Sequence, residues 1–341
     1  SFIDTNATTT NDLVIRDGSV VFPSGELVVG GAFDTTSSGG FDANGGTVKM
    51  VSEDGANIRT NGSSLNNITF GAGGEFEWYD ATWLSRERVT IPAVNIDAAL
   101  TDFPVYVNLA DLSDDFWSAV AVDGADIRVT TSNGQTELPY ELVSINTGAE
   151  TGQLHFKADA ISDVTNTTFY IYYENAAAEG YSATSTYGRN NVWTNGYEAV
   201  YHLEETGTGA LNEYVDSTGN GYDGQGGEGT VTDVPTLSTG QLGGAQDFEN
   251  TAPEDHIELD AALSTAMAGT GAKSVSAWAN VESFTDNGGV WGLGANQTGE
   301  DFTMRIRNGD GLWRAQHNGT PDYDFTFGTT GNWYHMALDY D

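Results

Sequence analysis

Short apolar bursts separated by Gly, Asn, Asp and Ser mark the first part of the chain, from Ser1 to about Trp78. They are "LVI" (Leu13–Ile15), "VVF" (Val20–Phe22), "LVV" (Leu27–Val29), "TVKMV" (Thr47–Val51) and "NNITF" (Asn66–Phe70). Each burst is shorter than an ordinary sandwich strand, and turn residues follow each one. Short strands with Gly and Asn at the corners are typical of coils stacked on one another, so we predict a β-solenoid-like segment over residues 1–80.

Longer β-rich runs bounded by turn residues fill the second part, which we place at residues 81–188. They are Phe103–Leu109, Asp126–Thr131, Leu138–Ile145, Gly152–Ala158 and Thr167–Asn175. Pro104 and Pro139 stand near the beginnings of two runs, where a missing backbone N–H is tolerated. Five or more strands of this kind predict an antiparallel β-sandwich.

Strict alternation returns in the third part, residues 189–341, and is clearest in "WYHMALDY" (Trp333–Tyr340). One face of this strand carries Tyr334, Met336, Leu338 and Tyr340, which are all large and apolar or aromatic. This pattern predicts a strand that lies inside a sheet. A strand inside a sheet needs partners on both edges. Because no further strand follows, we expect the chain to be part of a longer protein.

Family resemblances support the same division. "GGFDANGGTVKMVSEDGANIRTNGSSLNNITFGAGG" resembles coils of right-handed parallel β-helices in bacterial and archaeal surface proteins. "WLSRERVTI", "LTDFPVYVNL", "DGADIRVTTSNGQTELPYEL" and "TTFYIYYEN" are similar to a domain-of-unknown-function family of exported prokaryotic proteins, which commonly precedes a laminin-G-like domain. "NVWTNGYEAVYHLEET", "VDSTGNGYDG", "KSVSAWANVES" and "NWYHMALDYD" resemble the laminin-G-like, concanavalin-type jelly roll. The implied fold class is all-β, with a jelly roll that is incomplete at its C-terminus.

The net charge limits the partners and the location that can be expected for the protein. The chain has 49 acidic and 12 basic residues, a formal net charge of -37, and no cysteine. Such a field repels nucleic acid and anionic membrane surfaces. No apolar run approaches the ~20 residues of a membrane helix, so we expect no membrane insertion. We expect an extracellular or cell-surface location.

Catalytic residues are not predicted. Glycoside hydrolases of the concanavalin-type fold need two facing carboxylates, and the nearest candidates are Glu258 and Asp260 in "EDHIELD". Alternation puts them on one strand face, but His256 occupies the place of a third carboxylate, and acidic pairs are common in this chain. The five histidines are scattered, and no serine elbow or phosphate-binding glycine loop is present.

A calcium site is the main metal hypothesis. "DSTGNGYDG" offers Asp216, Asn220 and Asp223, oxygen ligands of the kind that calcium prefers. The resemblance to laminin-G-like domains implies calcium at this early Asp-rich loop, completed by an acidic residue from a late strand. The alternative is an ordinary turn, because Asp, Asn and Gly tolerate left-handed backbone. "SEDGAN" (Ser52–Asn57) is a weaker candidate.

Tryptophans are the candidates for glycan binding. Trp291 and Trp313 are flanked by Gly and polar residues, and we expect them to be exposed and to stack on sugar. Trp278 and Trp333 alternate with apolar partners, and we expect them in the core. The sequence thus favours a non-enzymatic surface protein, an adhesin or filament component that binds glycans or other surface proteins or self-assembles. The alternative is a carbohydrate-binding accessory region of a secreted polysaccharide-degrading enzyme.

Overall fold

Strands joined by turns dominate the computed structural model, which describes residues 7–9, 13–15, 20–30, 33–34, 41–50, 58–59, 65, 67–70, 79–80, 82–250, 254–269, 271–283, 288–294, 302–307, 311–317, 322–326 and 328–341. Within these residues the helices are short, and the predicted all-β class is confirmed. The chain divides into two compact units, Ser1–Ala81 with Ser132–Thr136 and Thr82–Thr131 with Glu137–Asp341. The boundary expected near residue 188 lies inside the second unit, and the division into three domains stays a prediction.

Parallel pairing organises the described strands of the first unit, which are β1 (Ala7–Thr9), β2 (Leu13–Val14), β3 (Val20–Val21), β4 (Glu26–Val29), β5 (Phe33–Asp34), β6 (Phe41–Asp42), β7 (Thr47–Met50), β8 (Ile58–Arg59) and β9 (Asn67–Phe70). They form parallel sheets in the orders β1-β4-β7-β9, β2-β5-β8 and β3-β6. In the first sheet, Leu27 lies beside Ala7, Val48 beside Leu27 and Ile68 beside Val48. Each turn of chain therefore stacks its strand on that of the turn before, which is a solenoid-like arrangement.

Alternation sets the core of this unit. In β4 and β7 every second side chain is buried, and the apolar cluster consists of Phe22, Leu27, Val29, Phe33, Val48 and Met50. The Phe22 ring packs at 4.9 Å from that of Phe41 and at 5.7 Å from that of Phe33. Because one coil supplies only a few buried side chains, the coils depend on their neighbours for a continuous core.

Two antiparallel sheets form the sandwich in the second unit. Its elements are β10 (Ser85–Ile91), β11 (Leu100–Asn108), α1 (Asp114–Ala119), β12 (Arg128–Thr131), β13 (Glu137–Leu138), β14 (Tyr140–Asn146), β15 (Thr151–Ile161) and β16 (Thr167–Tyr173). The sheet orders are β10-β16-β12-β13 and β11-β15-β14. Inward side chains of both sheets share one core that includes Val129, Leu154, Phe156 and Ile171. The hydroxyl of Ser113 caps α1 by accepting from Phe116 N, so that helix adds Phe116 and Trp117 to this core.

Shorter pairs follow the sandwich. They are β17 (Gly224–Gly226) with β20 (Ile257–Leu259) and β18 (Thr236–Thr239) with β19 (Gly244–Asp247), and α2 (Ala261–Ala266) comes after β20. Single turns of 3-10 helix lie at Ala93–Asn95, Leu109–Asp111, Arg189–Asn191, Gly227–Gly229 and Val231–Asp233. No helix in the described ranges has the length and hydropathy needed to span a membrane.

Two further antiparallel sheets end the chain. They are built from β21 (Lys273–Asn280), β22 (Gly288–Leu293), β23 (Phe302–Ile306), β24 (Leu312–His317), β25 (Tyr323–Thr326) and β26 (Trp333–Tyr340), in the orders β21-β26 and β22-β23-β24-β25. Met304, Trp313 and Met336 belong to one cluster shared by the two sheets. Strand β26 pairs with β21 along its whole length, and no described strand pairs with its other edge. That the protein continues beyond this strand stays a prediction.

Candidate functional site

The predicted calcium loop is held together by its own hydrogen bonds. Asp216 is 1% exposed, and its carboxylate accepts from Val200 N at 3.1 Å, Thr218 N at 2.9 Å, Thr218 Oγ1 at 2.7 Å and Tyr222 N at 3.1 Å. Asp223 Oδ1 accepts from Asp216 N at 2.8 Å, and Asn220 donates its amide to Glu198 O at 2.9 Å. Both carboxylate oxygens of Asp216 and one of Asp223 are thus already hydrogen-bonded to groups of the protein.

A calcium ion needs six to eight oxygen ligands, and Asp216 could supply one only by releasing donors that it now binds. Across the described parts of the chain, no group of three or more His, Asp or Glu side chains is arranged to hold a metal ion. As arranged, these residues do not fit the ion, and calcium binding stays a prediction. The weaker candidate, residues 52–57, lies outside the described residues.

The solvent exposure of two tryptophans is the opposite of what the sequence predicts. Trp313 is fully buried between the last two sheets, so the expectation that it stacks on sugar is wrong. Trp291 is partly buried against the same cluster. Trp278, expected in the core, is 40% exposed. The reason is register, because Trp313 alternates with outward Arg314, whereas Trp278 alternates with inward Ala277 and Ala279.

One of the two carboxylates that were considered for catalysis, Asp260, has a structural role. Asp260 is the N-cap of α2, where its Oδ1 accepts from Ala262 N at 2.8 Å. Glu258 lies on β20 with an exposed side chain. Capping satisfies an otherwise unpaired amide at a helix start, which accounts for Asp260 without any catalytic task.

A row of polar side chains crosses the outer face of sheet β11-β15-β14. Alternation turns Tyr140, Leu154 and Phe156 toward the core, so Glu141 and His155, which are paired across β14 and β15, point the other way. An outward face normally meets water. Here Glu141 is 6% and His155 7% exposed, because the chain that follows the sandwich lies over them.

Glu141 is the centre of this buried network. Its Oε1 accepts from Ser217 Oγ at 2.6 Å, and its Oε2 accepts from Trp193 Nε1 at 2.7 Å and contacts His202 Nε2 at 3.0 Å. One strand residue thereby binds three positions from a stretch of chain about 50 to 75 residues further on. We call Glu141, Trp193, His202 and Ser217 the carboxylate clamp.

The charge of the clamp is balanced locally. Burial would raise the pKa of Glu141, but the hydrogen bond and charge of His202, with the bonds from Ser217 and Trp193, hold that pKa below its usual value. The order of groups does not suit a nucleophile, because Ser217 donates to the carboxylate and not to the imidazole. In a catalytic triad the histidine stands between serine and acid. The clamp therefore joins segments.

His155 extends the network. Its ring lies 4.8 Å from that of His202 and 5.2 Å from that of Trp193. The side-chain oxygen of Gln153 accepts a hydrogen bond from His155 Nε2 at 2.8 Å. The amide nitrogen of Gln153 then donates to Glu204 Oε1 at 2.7 Å and to Leu242 O at 3.2 Å. Burial, reinforced by the charge of His202 and opposed by Glu141, lowers the pKa of His155 to about 3. The folded protein therefore keeps His155 neutral.

We expect His155 to make stability depend on pH. In the unfolded chain its pKa returns to 6.5, so only the unfolded state takes up a proton between pH 6.5 and about 3, and stability falls as the pH falls. At pH 5 the loss is about 2 kcal/mol. Urea unfolding of the wild type and of His155→Gln at pH 7 and pH 5 measures it. The variant should lose less stability on acidification; an equal loss in both proteins would contradict the assignment.

Arg128 is the centre of a second buried hydrogen-bond network, on the outer face of the other sandwich sheet. It is 4% exposed, and its guanidinium donates to Ile127 O at 2.6 Å, Glu179 O at 2.8 Å, Ala125 O at 3.0 Å and Tyr140 Oη at 3.2 Å. Its Nε lies 3.7 Å from Glu137 Oε1. The rings of Trp83 and Tyr181 lie 5.2 and 4.2 Å from the guanidinium carbon. Arg128 thus ties the residues before β10 and after β16 to the sheet.

The sequence alone does not reveal either buried network. Its five histidines are scattered, and no motif marks Glu141 or Arg128. The available signal was a charged residue at an outward position inside a β-rich run, as in "YELVSI" and "DIRVTT". That signal is weak, because most such residues face water.

One protein-family model matches the chain. It is described as a domain of unknown function (DUF2341) and covers residues 123–213. No curated protein and no solved structure matches. The matched range contains Arg128, Glu141, His155, Trp193 and His202, so over these residues the chain is similar to that family. The similarity covers strands β12 to β16 of the sandwich and the chain that follows them as far as residue 213.

Proposed function

We propose that the chain is a non-enzymatic part of an extracellular or cell-surface structure, an adhesin or filament component whose β-rich units carry recognition surfaces. One observation supports this most directly. The hydrogen bonds of the buried charged groups connect strands and loops to one another; these groups are Glu141, Arg128 and Asp216. Such hydrogen-bond networks make an extended surface protein more rigid, and this role needs no reactive group.

Two finer likenesses belong to this proposal. The stacked parallel sheets support a β-helix segment within residues 1–80. The two sheets around Met304, Trp313 and Met336 support a laminin-G-like jelly roll within residues 189–341. Both architectures suit extended surface proteins, which bind through broad faces.

The partners we infer are glycans, other surface proteins or further copies of the chain. A formal net charge of -37 disfavours nucleic acid and anionic lipid surfaces, because both are negatively charged. The same charge keeps a large exposed protein soluble and resists non-specific association.

Location and turnover test the proposal together. Antibodies against the chain should label the outside of intact producing cells or filaments released from them, and protease treatment of intact cells should remove the label. The purified chain should release no product from polysaccharide or protein substrates. Label confined to the cell interior, or product formation that Glu141→Gln abolishes while the fold is kept, would overturn it.

A second candidate function is a carbohydrate-binding accessory region of a secreted polysaccharide-degrading enzyme. The exposed side chain of Trp278 favours it, since an indole on an open face can bind sugar. Finding this chain joined to a catalytic domain in one polypeptide that releases sugars would establish the accessory role in place of the adhesin.

A further inference from the structure

The outward face of sheet β21-β26 differs from its inward face. Inward, Val275 and Leu338 pack in the clusters under the sheet, and Met336 is buried. The outward side chains of β21 are all exposed, and those of β26 are exposed except for the half-buried first one; the outward set is Ser274, Ser276, Trp278, Asn280, Trp333, His335, Ala337 and Asp339. This set, the outward face, offers a large aromatic ring among hydrogen-bonding side chains.

Trp278 is the central feature of the outward face. It lies directly opposite His335, with ring centroids 5.3 Å apart. The next pair along the strands, Ser276 with Ala337, is small, so the indole stands above its neighbours on that side. On the other side Asn280 pairs with Trp333. The face therefore has a raised ring with amide, hydroxyl and imidazole groups beside it.

The chemistry of this surface selects among ligand classes. Besides the Trp278 indole the face holds the half-buried Trp333 and the small Ala337, and its other five side chains are polar. This composition is a poor match for a protein partner, whose interface core clusters several apolar side chains. Asp339 is the only carboxylate among the eight residues, and it lies at the far end from Trp278. The net charge of -37 disfavours an anionic ligand.

We propose that the outward face binds a neutral polysaccharide. The apolar face of a sugar ring packs on the Trp278 indole, and its hydroxyls bond to Ser276, Asn280 and His335. From Ser274 to Asn280 the strand spans about 20 Å, which is enough for a short run of sugar units. This inference rests on the proposed function, since it assigns that function's ligand class and site.

Affinity electrophoresis of the full chain in native gels tests it, with cellulose derivatives, xylan, mannan, soluble chitin and starch as probes. At least one should retard the wild type. Trp278→Ala should weaken that binding by about tenfold or more, and Trp278→Phe should keep part of it. Tyr323→Ala is the matched control, because Tyr323 is 66% exposed on β25 of the same region, and it should bind as the wild type does.

Circular dichroism and thermal unfolding should show Trp278→Ala folded, since its side chain is not in the core. No retardation of the wild type by any probe, or equal binding by Trp278→Ala, would overturn the inference. Either result leaves the proposed function standing if the chain still labels the cell surface. Product release from a retained polysaccharide would instead contradict the non-enzymatic proposal.

Discussion

Replacing Glu141 with alanine is expected to lower the free energy of unfolding of the second unit by about 3–5 kcal/mol. The variant removes the acceptor of the Ser217 hydroxyl, the Trp193 indole N–H and His202, all inside the fold. A buried donor left without a partner loses its hydration without compensation, which makes this truncation more damaging than the mean value of a hydrogen bond suggests.

Urea unfolding followed by tryptophan fluorescence measures the change, and amide hydrogen exchange in β14, β15 and residues 192–217 locates it. Glu141→Gln keeps one carbonyl acceptor in the same space and should lose less, about 2 kcal/mol. Asp159→Ala removes an exposed carboxylate from β15 and should stay within about 0.5 kcal/mol of the wild type. If Glu141→Ala behaved like Asp159→Ala, the carboxylate clamp would not hold the segments together.

Arg128→Ala should have an effect of similar size, about 3–5 kcal/mol. The guanidinium donates to the carbonyls of Ala125, Ile127 and Glu179, and its loss also removes the positive charge 3.7 Å from the Glu137 carboxylate. Arg128→Lys should recover little, because one ammonium cannot reach all the acceptors that the planar guanidinium reaches. Calorimetry of the full chain checks both variants.

Removing both charges at once distinguishes the contribution of the Arg128–Glu137 ion pair from that of the packing around it. Arg128→Met with Glu137→Gln should be more stable than Arg128→Met alone, since the second change removes a buried negative charge that has lost the nearby guanidinium. Arg88→Ala is the matched control: Arg88 is exposed on β10, and its removal should change stability by no more than about 1 kcal/mol. A double variant as unstable as the single one would show that the buried charge of Glu137 does not contribute to the loss of stability.

Strand positions followed closely from the sequence. The runs predicted at Phe103–Leu109, Gly152–Ala158 and Thr167–Asn175 became β11, β15 and β16 with ends shifted by a few residues. The burst "TVKMV" contains β7, in which every second side chain is buried. These features are local, since successive side chains of an extended chain point to opposite faces whatever they later meet.

The candidate site was far less predictable. The acidic loop "DSTGNGYDG" contains metal-ligand residue types, but one donor to the Asp216 carboxylate is Val200 N, which lies outside the motif. The carboxylate clamp joins Glu141 to His202 and Ser217 across 61 and 76 residues. No periodicity connects positions so far apart.

By itself, the sequence determined the all-β class, the places of most strands and the two faces of each strand, because backbone geometry and side-chain alternation act between neighbouring residues. Only the tertiary structure decided which faces are covered. It buried Glu141 and Arg128 on faces that alternation leaves outward, enclosed Trp313 and left Trp278 in the open. The physical reason is that burial depends on what packs against a face, and those partners come from distant parts of the chain.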